Sequence, residues 1–328
     1  MEYATLNNGQ KLPLLGLGTW QANDDSVALA VRKALDLGYR LIDTAALYGN
    51  EKIIGNVLKE YIDSGKVKRE DLFITTKLPF TAHKPELVEK CVNESLKRLQ
   101  LDYIDLYLIH CPSSFEEEPG KLVTPKVVNN KYVPVVVPHL DTWRVLEKLH
   151  KAGKLRTLGV SNFNVRQLND LYEKAEIKPA NIQVECHLLF PQNDLLEYTR
   201  THNMTFTAYS PIGSPGSSMI AASARGPECD PFKNANVVEL SKKYNKTPAQ
   251  IILRFLTQKG ISAIPKSVNE ERLAQNFNIF DFSLTPEEVA RLNVVPKEVR
   301  LFHFDFSAEH PYYSFDDIDK TKLIAKAH

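Results

Sequence analysis

Nowhere in its 328 residues does the chain hold an apolar run near the roughly 18 residues that a membrane-spanning helix requires. The opening residues, Met1 to Thr5, have neither a basic region nor an apolar stretch, so no secretory signal is expected there. Cysteine is scarce: Cys91, Cys111, Cys186 and Cys229 are far apart and form no CxxC pair. Free thiols in a reducing, cytoplasmic setting fit that pattern, and without secretion the sequons at Asn93, Asn203 and Asn245 stay silent. Charge of one sign is also lacking. A formal net charge of +1 gives no reason to expect a nucleic acid or an acidic membrane as partner.

Several catalytic signatures are missing too. The early glycines in Leu15-Gly16-Leu17-Gly18-Thr19-Trp20-Gln21 lack the third glycine, at Gln21, that a dinucleotide-binding βαβ turn needs for its helix to pack close. They suit a tight barrel floor instead, with Thr19 and Trp20 at its rim. No Walker A loop occurs, and no GxSxG elbow supports a serine hydrolase. His110-Cys111 and Cys186-His187 are adjacent pairs rather than spaced ligands, so no metal site is expected.

What is present is an alternation. Thr5–Leu14, with Asn7-Asn8-Gly9 at its centre, predicts a β-hairpin. Strands are expected at Leu15–Thr19, Leu41–Ala45, Leu72–Lys77, Ile104–His110, Leu155–Ser161, Asn181–Cys186, Met204–Ser210 and Ile261–Lys266. Helices are expected between them. One is capped by Asp25 or Ser26, one spans Asn50–Ser64, one Pro85–Leu99, and one opens at Thr247 with Gln250 three residues on. Polar, irregular stretches interrupt at Pro112–Pro138 and Pro211–Pro231, and the tail after Pro296 is aromatic without a period. Eight strand-helix units predict one closed (β/α)8 TIM barrel over residues 1–328. An open doubly wound sheet is the alternative.

Parallel units bring all strand C-termini to one edge. Asp43, Tyr48, Lys77 and His110 stand at three successive strand ends, so they are expected to gather. Any one of them alone has an ordinary structural explanation; together they describe chemistry. Lys77 in Ile74-Thr75-Thr76-Lys77-Leu78 is an ammonium in an apolar strand, which needs a carboxylate, and Asp43 can supply it. An ammonium beside Tyr48 favours the phenolate and lowers a pKa that starts near about 10. His110 can orient a carbonyl oxygen. That is apparatus for protonating an alkoxide as it forms.

The hydride for such a reduction must come from a cofactor. Candidate groups are Ser161, Asn162, Gln183, the flat ring of Tyr209, and Lys266, Ser267 and Arg272 at the start of the last barrel helix. These last three form a cationic helix-start anion site suited to an extra phosphate on the adenosine ribose, which favours NADPH over NADH.

These residues resemble the aldo-keto reductases, in particular the aldose/aldehyde reductase-like branch. The likeness is carried by Gly18-Thr19-Trp20, Asp43 through Glu51, Thr76-Lys77-Leu78, Leu108 through Pro112 and Gly159 through Phe163. It continues in Gln183-Val184-Glu185, Ala208 through Pro211, and Ile264 through Ser267 with Arg272 and Asn276. The resemblance implies an NADPH-binding barrel with Tyr48 as general acid, Asp43 and Lys77 as the pair that lowers its pKa, and His110 orienting the carbonyl. Gly18, Thr19, Trp20 and Asp43 would border the cofactor. Ser161, Asn162 and Gln183 would hold its carboxamide, and Tyr209 would stack on its ring. Ser210, Pro211, Ile212, Gly213 and Ser214 would pass near the pyrophosphate. Lys266, Ser267, Val268, Asn269, Arg272, Gln275 and Asn276 would surround the adenosine phosphate.

The substrate side departs from the family pattern. Pro79 and Cys111 stand where relatives often carry tryptophan, which implies a roomier or differently shaped pocket, lined also by Trp20, Leu47, Tyr48, His110 and Phe302. Residues 112–138 and 296–328 fall where the family's substrate loops lie. The expectation is a monomeric carbonyl reductase for a bulky hydrophobic carbonyl such as a ketosteroid, or for a small aldehyde or aldose. The alternatives are an NADPH-binding module without turnover, and a metal-dependent barrel hydrolase whose ligands are missing.

Overall fold

The protein is described from a computed structural model that covers residues 1–22, 24–215, 217, 219–221, 226 and 229–324. Eight strands run in chain order through one sheet: β1 (Gly16–Gly18), β2 (Leu41–Asp43), β3 (Phe73–Leu78), β4 (Leu106–Ile109), β5 (Leu158–Ser161), β6 (Asn181–Glu185), β7 (Thr205–Tyr209) and β8 (Ser262–Ala263). The pairs β1/β2, β3/β4, β4/β5 and β7/β8 are parallel. Parallel bridges from Leu15 to Ala263 and from Gly18 to Lys266 join the first strand to the last. The sheet closes on itself as a (β/α)8 barrel. The expected hairpin precedes it, with Tyr3–Thr5 paired antiparallel to Lys11–Pro13.

The closure explains Gly18. A Cβ there would lie 2.6 Å from the Ile264 carbonyl oxygen, closer than any side chain tolerates, while the Gly18 N–H donates to Pro265 O at 3.1 Å. Only glycine lets the two edge strands meet.

The chain falls into two compact units: Met1–Asp43 with Gln183–Phe302, and Thr44–Ile182 with His303–His328. In the first unit, helices Pro248–Gln258 and Pro286–Leu292 open with the capping boxes Thr247/Gln250 and Thr285/Glu288, each cap satisfying an otherwise orphaned first-turn N–H. In the second, helix Glu51–Asp63 buries Ile54, Val57, Leu58 and Tyr61, spaced three and four apart on one face. Each such aliphatic side chain contributes about 1.5–3 kcal/mol on leaving water. Helix Pro85–Leu99 buries Val88, Cys91, Val92 and Leu99 in the same way. Buried Glu51 ties the two helices to β3: it accepts from Thr76 Oγ1 at 2.6 Å and from Arg98 Nε at 2.7 Å.

Two expectations need correction. The first helix begins at Asp24, so Asp25 and Ser26 lie inside its opening turn rather than capping it; position 23 is outside the described residues. The stretch 112–138 is ordered rather than irregular. It folds as three short antiparallel pairs, Ser114–Phe115 with Pro134–Val135, Glu117–Glu118 with Lys121–Pro125, and Val127–Val128 with Lys131–Tyr132. Strands of two residues, as all of these are but Lys121–Pro125, carry too little periodicity to read from sequence. Among the described residues no helix is long and apolar enough to cross a membrane.

Candidate active site

In the second unit the end of β3 carries a lysine that is wholly withdrawn from water. Lys77 has 0% exposure, and its Nζ donates to Thr44 O at 2.9 Å and lies 3.5 Å from Tyr48 Oη. Thr44 is fixed in turn, its N–H donating to Thr75 O at 2.9 Å and its hydroxyl to Asn50 Oδ1 at 2.7 Å. Tyr48 ends the short 3-10 turn Ala46–Tyr48, which Gly49 closes in the left-handed conformation at φ 71°. Sequence and turn chemistry thus place the phenol beside the ammonium, which also lies 5.1 Å from the ring centre. The next strand contributes His110. Its ring meets the Tyr48 ring at 5.7 Å, edge to face.

Burial pushes the His110 imidazole well below its ordinary pKa, and the positive charge of Lys77, then the neighbouring His83, add to the effect. The ring is therefore neutral near pH 7. Its Nδ1 is buried and meets no hydrogen-bond partner among the described residues. His110 is held from behind, where Asn162 Nδ2 donates to its carbonyl at 2.8 Å and to Ser161 Oγ at 3.1 Å. Asn162 makes these bonds from a left-handed backbone, φ 62°. A tyrosine hydroxyl beside a buried ammonium, with a neutral imidazole facing it, can deliver a proton to an oxygen that is gaining negative charge.

Near this cluster Leu47 is half-buried, Pro79 is buried, and Cys111 is buried with its thiol donating to Ser113 O at 3.3 Å. Burial pushes that thiol up to about 12, so it is unionised. Phe80, three residues past Lys77, gathers Phe115 at 5.6 Å, Tyr132 at 5.8 Å and Phe306 at 5.6 Å. The Phe115 N–H donates to Phe80 O at 2.9 Å. Phe80, Phe115, Tyr132 and Phe306 are site candidates that sequence reading missed, because they lie far apart in a region without period.

In the first unit, Asp43 ends β2 with 3% exposure. Its carboxylate accepts from Gln183 Nε2 at 2.7 Å and its carbonyl from Thr19 Oγ1 at 2.9 Å. Trp20 and Tyr209 both face Phe302, with ring centres 5.5 Å and 6.2 Å away. Past β7, Ser214 Oγ donates to Ser210 Oγ at 2.7 Å, and Gly213, at φ 80°, donates its N–H to Ser210 O at 2.9 Å. Pro211, Ile212 and Gly213 complete that turn. Part of the predicted 211–231 stretch lies outside the described residues.

Past β8, Lys266 and Arg272 are exposed, and among the described residues neither side chain pairs with a carboxylate. Partial burial and then the Arg272 guanidinium lower the Lys266 pKa. Two cations that repel one another at a helix start are relieved by an anion between them. Asn269 caps the helix Glu270–Phe277 by accepting from the Arg272 N–H at 2.9 Å, and Ser267 Oγ accepts from the Asn269 N–H at 3.1 Å. Val268 is exposed, Gln275 donates to Glu271 at 3.0 Å, and Asn276 is buried under the helix. The donor set fits the phosphate of an NADP-type nucleotide. Among the described residues no group of acidic, histidine or cysteine side chains could hold a metal ion.

Comparison with known proteins gives the family. The model of the Aldo/keto reductase family matches residues 14–296. The aldo-keto reductase family 1 member A1 of Xenopus tropicalis is 42% identical over 329 residues, covering 97% of this chain and 98% of that one. The human protein of the same name is 41% identical over 324 residues, covering 95% and 97%. The solved structure of the aldose reductase from Schistosoma japonicum superposes with a TM-score of 0.88 at 40% identity, covering 97% of this chain and 99% of that one. With the family model spanning the barrel and these relatives spanning nearly the full length, the chain belongs to the aldo/keto reductase family, oxidoreductases that act on carbonyl groups.

Proposed function

We propose that the protein reduces aldehydes or ketones to alcohols, with NADPH as reductant and Tyr48 as the proton donor. The observation that carries this reading is the Lys77 ammonium, fully buried and 3.5 Å from the Tyr48 hydroxyl. A phenol gives up its proton more readily when a fixed positive charge stabilises the oxygen left behind. Water cannot screen that charge here, so the effect is stronger than at a surface. The neutral His110 ring would donate a hydrogen bond to the substrate oxygen and turn it toward Tyr48. Asp43 completes the set that the resemblance assigns.

NADPH, when bound, supplies the hydride that no side chain can. Lys266 and Arg272 would hold its adenosine phosphate, with Ser267, Asn269 and Asn276 beside them. Ser210 to Ser214 would lie along the pyrophosphate, and Tyr209 would offer a flat face to the nicotinamide. The choice of NADPH over NADH rests on the unneutralised Lys266/Arg272 pair.

For the substrate we propose a carbonyl with a bulky apolar or aromatic body. The aromatic group of Phe80, Phe115, Tyr132 and Phe306 supports this, as does Cys111 in place of a tryptophan. The Schistosoma japonicum protein is named an aldose reductase, which keeps aldoses in the panel to be tested. The test is oxidation of NADPH, followed by its absorbance, with aromatic aldehydes, aldoses, dicarbonyls and ketosteroids. Turnover of at least one class, fastest for the apolar ones, is expected. NADPH binding without turnover of any carbonyl would overturn the reading in favour of a binding module.

A further inference from the structure

The first unit buries a carboxylate that the proposed reaction does not use. Glu185 ends β6 with 0% exposure. Its Oε1 accepts from the Leu301 N–H at 2.6 Å and its Oε2 from the Phe302 N–H at 3.0 Å. His187, 1% exposed, brings Nε2 to 3.1 Å from Oε1. The ring's tautomer follows from its other side. The Leu189 N–H donates to Nδ1 at 3.3 Å, so Nδ1 accepts and the proton is on Nε2, pointing at Glu185.

This arrangement needs a carboxylate. The two successive backbone N–H groups converge on separate oxygens of this side chain, which must therefore accept at both ends. A glutamine would turn an NH2 group toward one of them, and a buried donor facing a donor is unsatisfied. The segment is pinned on its flanks as well: the Val299 N–H donates to Leu189 O at 2.9 Å, and the Ala221 N–H to Leu301 O at 2.7 Å. The outcome is a fixed position for one ring. Phe302, 5% exposed, sits 5.5 Å from Trp20 and 6.2 Å from Tyr209.

We propose that Glu185 and His187 are positioning residues for substrate selection: they seat the backbone of residues 301–302 on a buried acceptor and so fix the Phe302 ring against Trp20 and Tyr209. The inference rests on the carbonyl-reductase reading, since the ring it fixes is a wall for the substrate. A loosened ring admits small substrates as before but loses its contact surface for large ones.

Glu185→Gln tests this with two independent readouts. The first needs no turnover. Of the two tryptophans, Trp143 has 0% exposure and is out of reach of a polar quencher, so acrylamide quenching reports on Trp20. The proposal expects stronger quenching and a red-shifted emission in the variant. The second is steady-state kinetics with a short aliphatic aldehyde and a bulky aromatic ketone. KM for the ketone should rise about tenfold, the scale of one buried hydrogen-bond partner lost, while kcat for the short aldehyde stays within about twofold. His187→Gln, which removes one donor, should shift both readouts in the same direction by less. Phe302→Leu leaves the carboxylate intact and should raise the ketone KM, which keeps the test decisive even if Glu185→Gln does not fold. Unchanged Trp20 quenching in Glu185→Gln, a uniform change for both substrates, or an unaltered ketone KM in Phe302→Leu would overturn the proposal. If the parent protein turns over no carbonyl, the function reading fails, and the quenching experiment still decides whether the carboxylate seats the ring.

Discussion

Lys77, near the end of β3 in the second unit, and Lys266, just past β8 in the first, carry the same charge in opposite surroundings. Lys77 has no exposed surface, and its ammonium lies against a backbone carbonyl and a phenol. Lys266 is exposed beside Arg272, among the described residues without a carboxylate of its own. Burial decides what each charge can do. A desolvated ammonium acts strongly on the groups it touches and changes the proton chemistry of an ionisable one among them. A hydrated one acts on whatever anion arrives and is screened by salt. The same contrast holds for the histidines of the second unit. Burial, with the charges of His139 and then His310 adding, lowers His83 to about 3. Burial also takes His139 to about 4, although its bond to Pro112 O works the other way. Charge in this protein is sorted by access to water.

The largest effect should come from the buried side. Tyr48→Phe keeps the ring and removes the proton, so kcat should fall by about 10²- to 10⁴-fold, the usual worth of a positioned general acid. Stopped-flow measurement of NADPH oxidation checks it, with NADPH fluorescence showing that binding persists. If turnover survives, the acid is another group.

On the exposed side, Lys266→Met should weaken NADPH about ten- to a hundredfold, as expected for one charge-assisted bond to a phosphate. NADH binding should hardly change. A titration across ionic strengths sharpens the contrast: NADPH affinity should fall with salt in the parent and less steeply in the variant. An unchanged NADPH/NADH ratio would remove the 2′-phosphate from Lys266.

The histidines give a smaller and graded effect. Their folded pKa values lie below the unfolded value near 6.5, so between the two the unfolded chain binds more protons than the folded one. Stability is therefore full above about pH 6.5 and lost as pH falls, by up to about 1.4 kcal/mol per pH unit for each such group. Urea unfolding of the parent should weaken steeply from pH 6.5 toward pH 4. His83→Asn, which removes one of these groups, should flatten the slope. A profile that stays level over that range would mean that these rings are accessible to protons in the folded state.

Much of the barrel is legible in the sequence because its rules are local. The Pro85–Leu99 helix and the Thr247 and Thr285 caps follow from spacing and cap chemistry alone. Lys77 was visible as a charge inside an apolar strand. Glu185 gives the same signal in Asn181-Ile182-Gln183-Val184-Glu185, yet its partners are the N–H groups of Leu301 and Phe302, more than a hundred residues on, and backbone donors have no sequence signature. The insertion was misread for a related reason. Its two-residue strands are held by Phe115 to Phe80 O and Ser114 to Val135 O, bonds set by tertiary placement rather than by pattern. What remained hidden was long-range pairing.

The most direct test of the contrast is to measure kcat and NADPH affinity side by side for Lys77→Met and Lys266→Met. The account predicts a clean split. Lys77→Met should lower kcat by about 10²-fold or more, since it removes a preorganised charge from the site of proton transfer, while NADPH affinity stays within about twofold. Lys266→Met should do the reverse. A Lys77→Met protein that binds NADPH and keeps its kcat would contradict the claim that the buried ammonium drives proton donation by Tyr48.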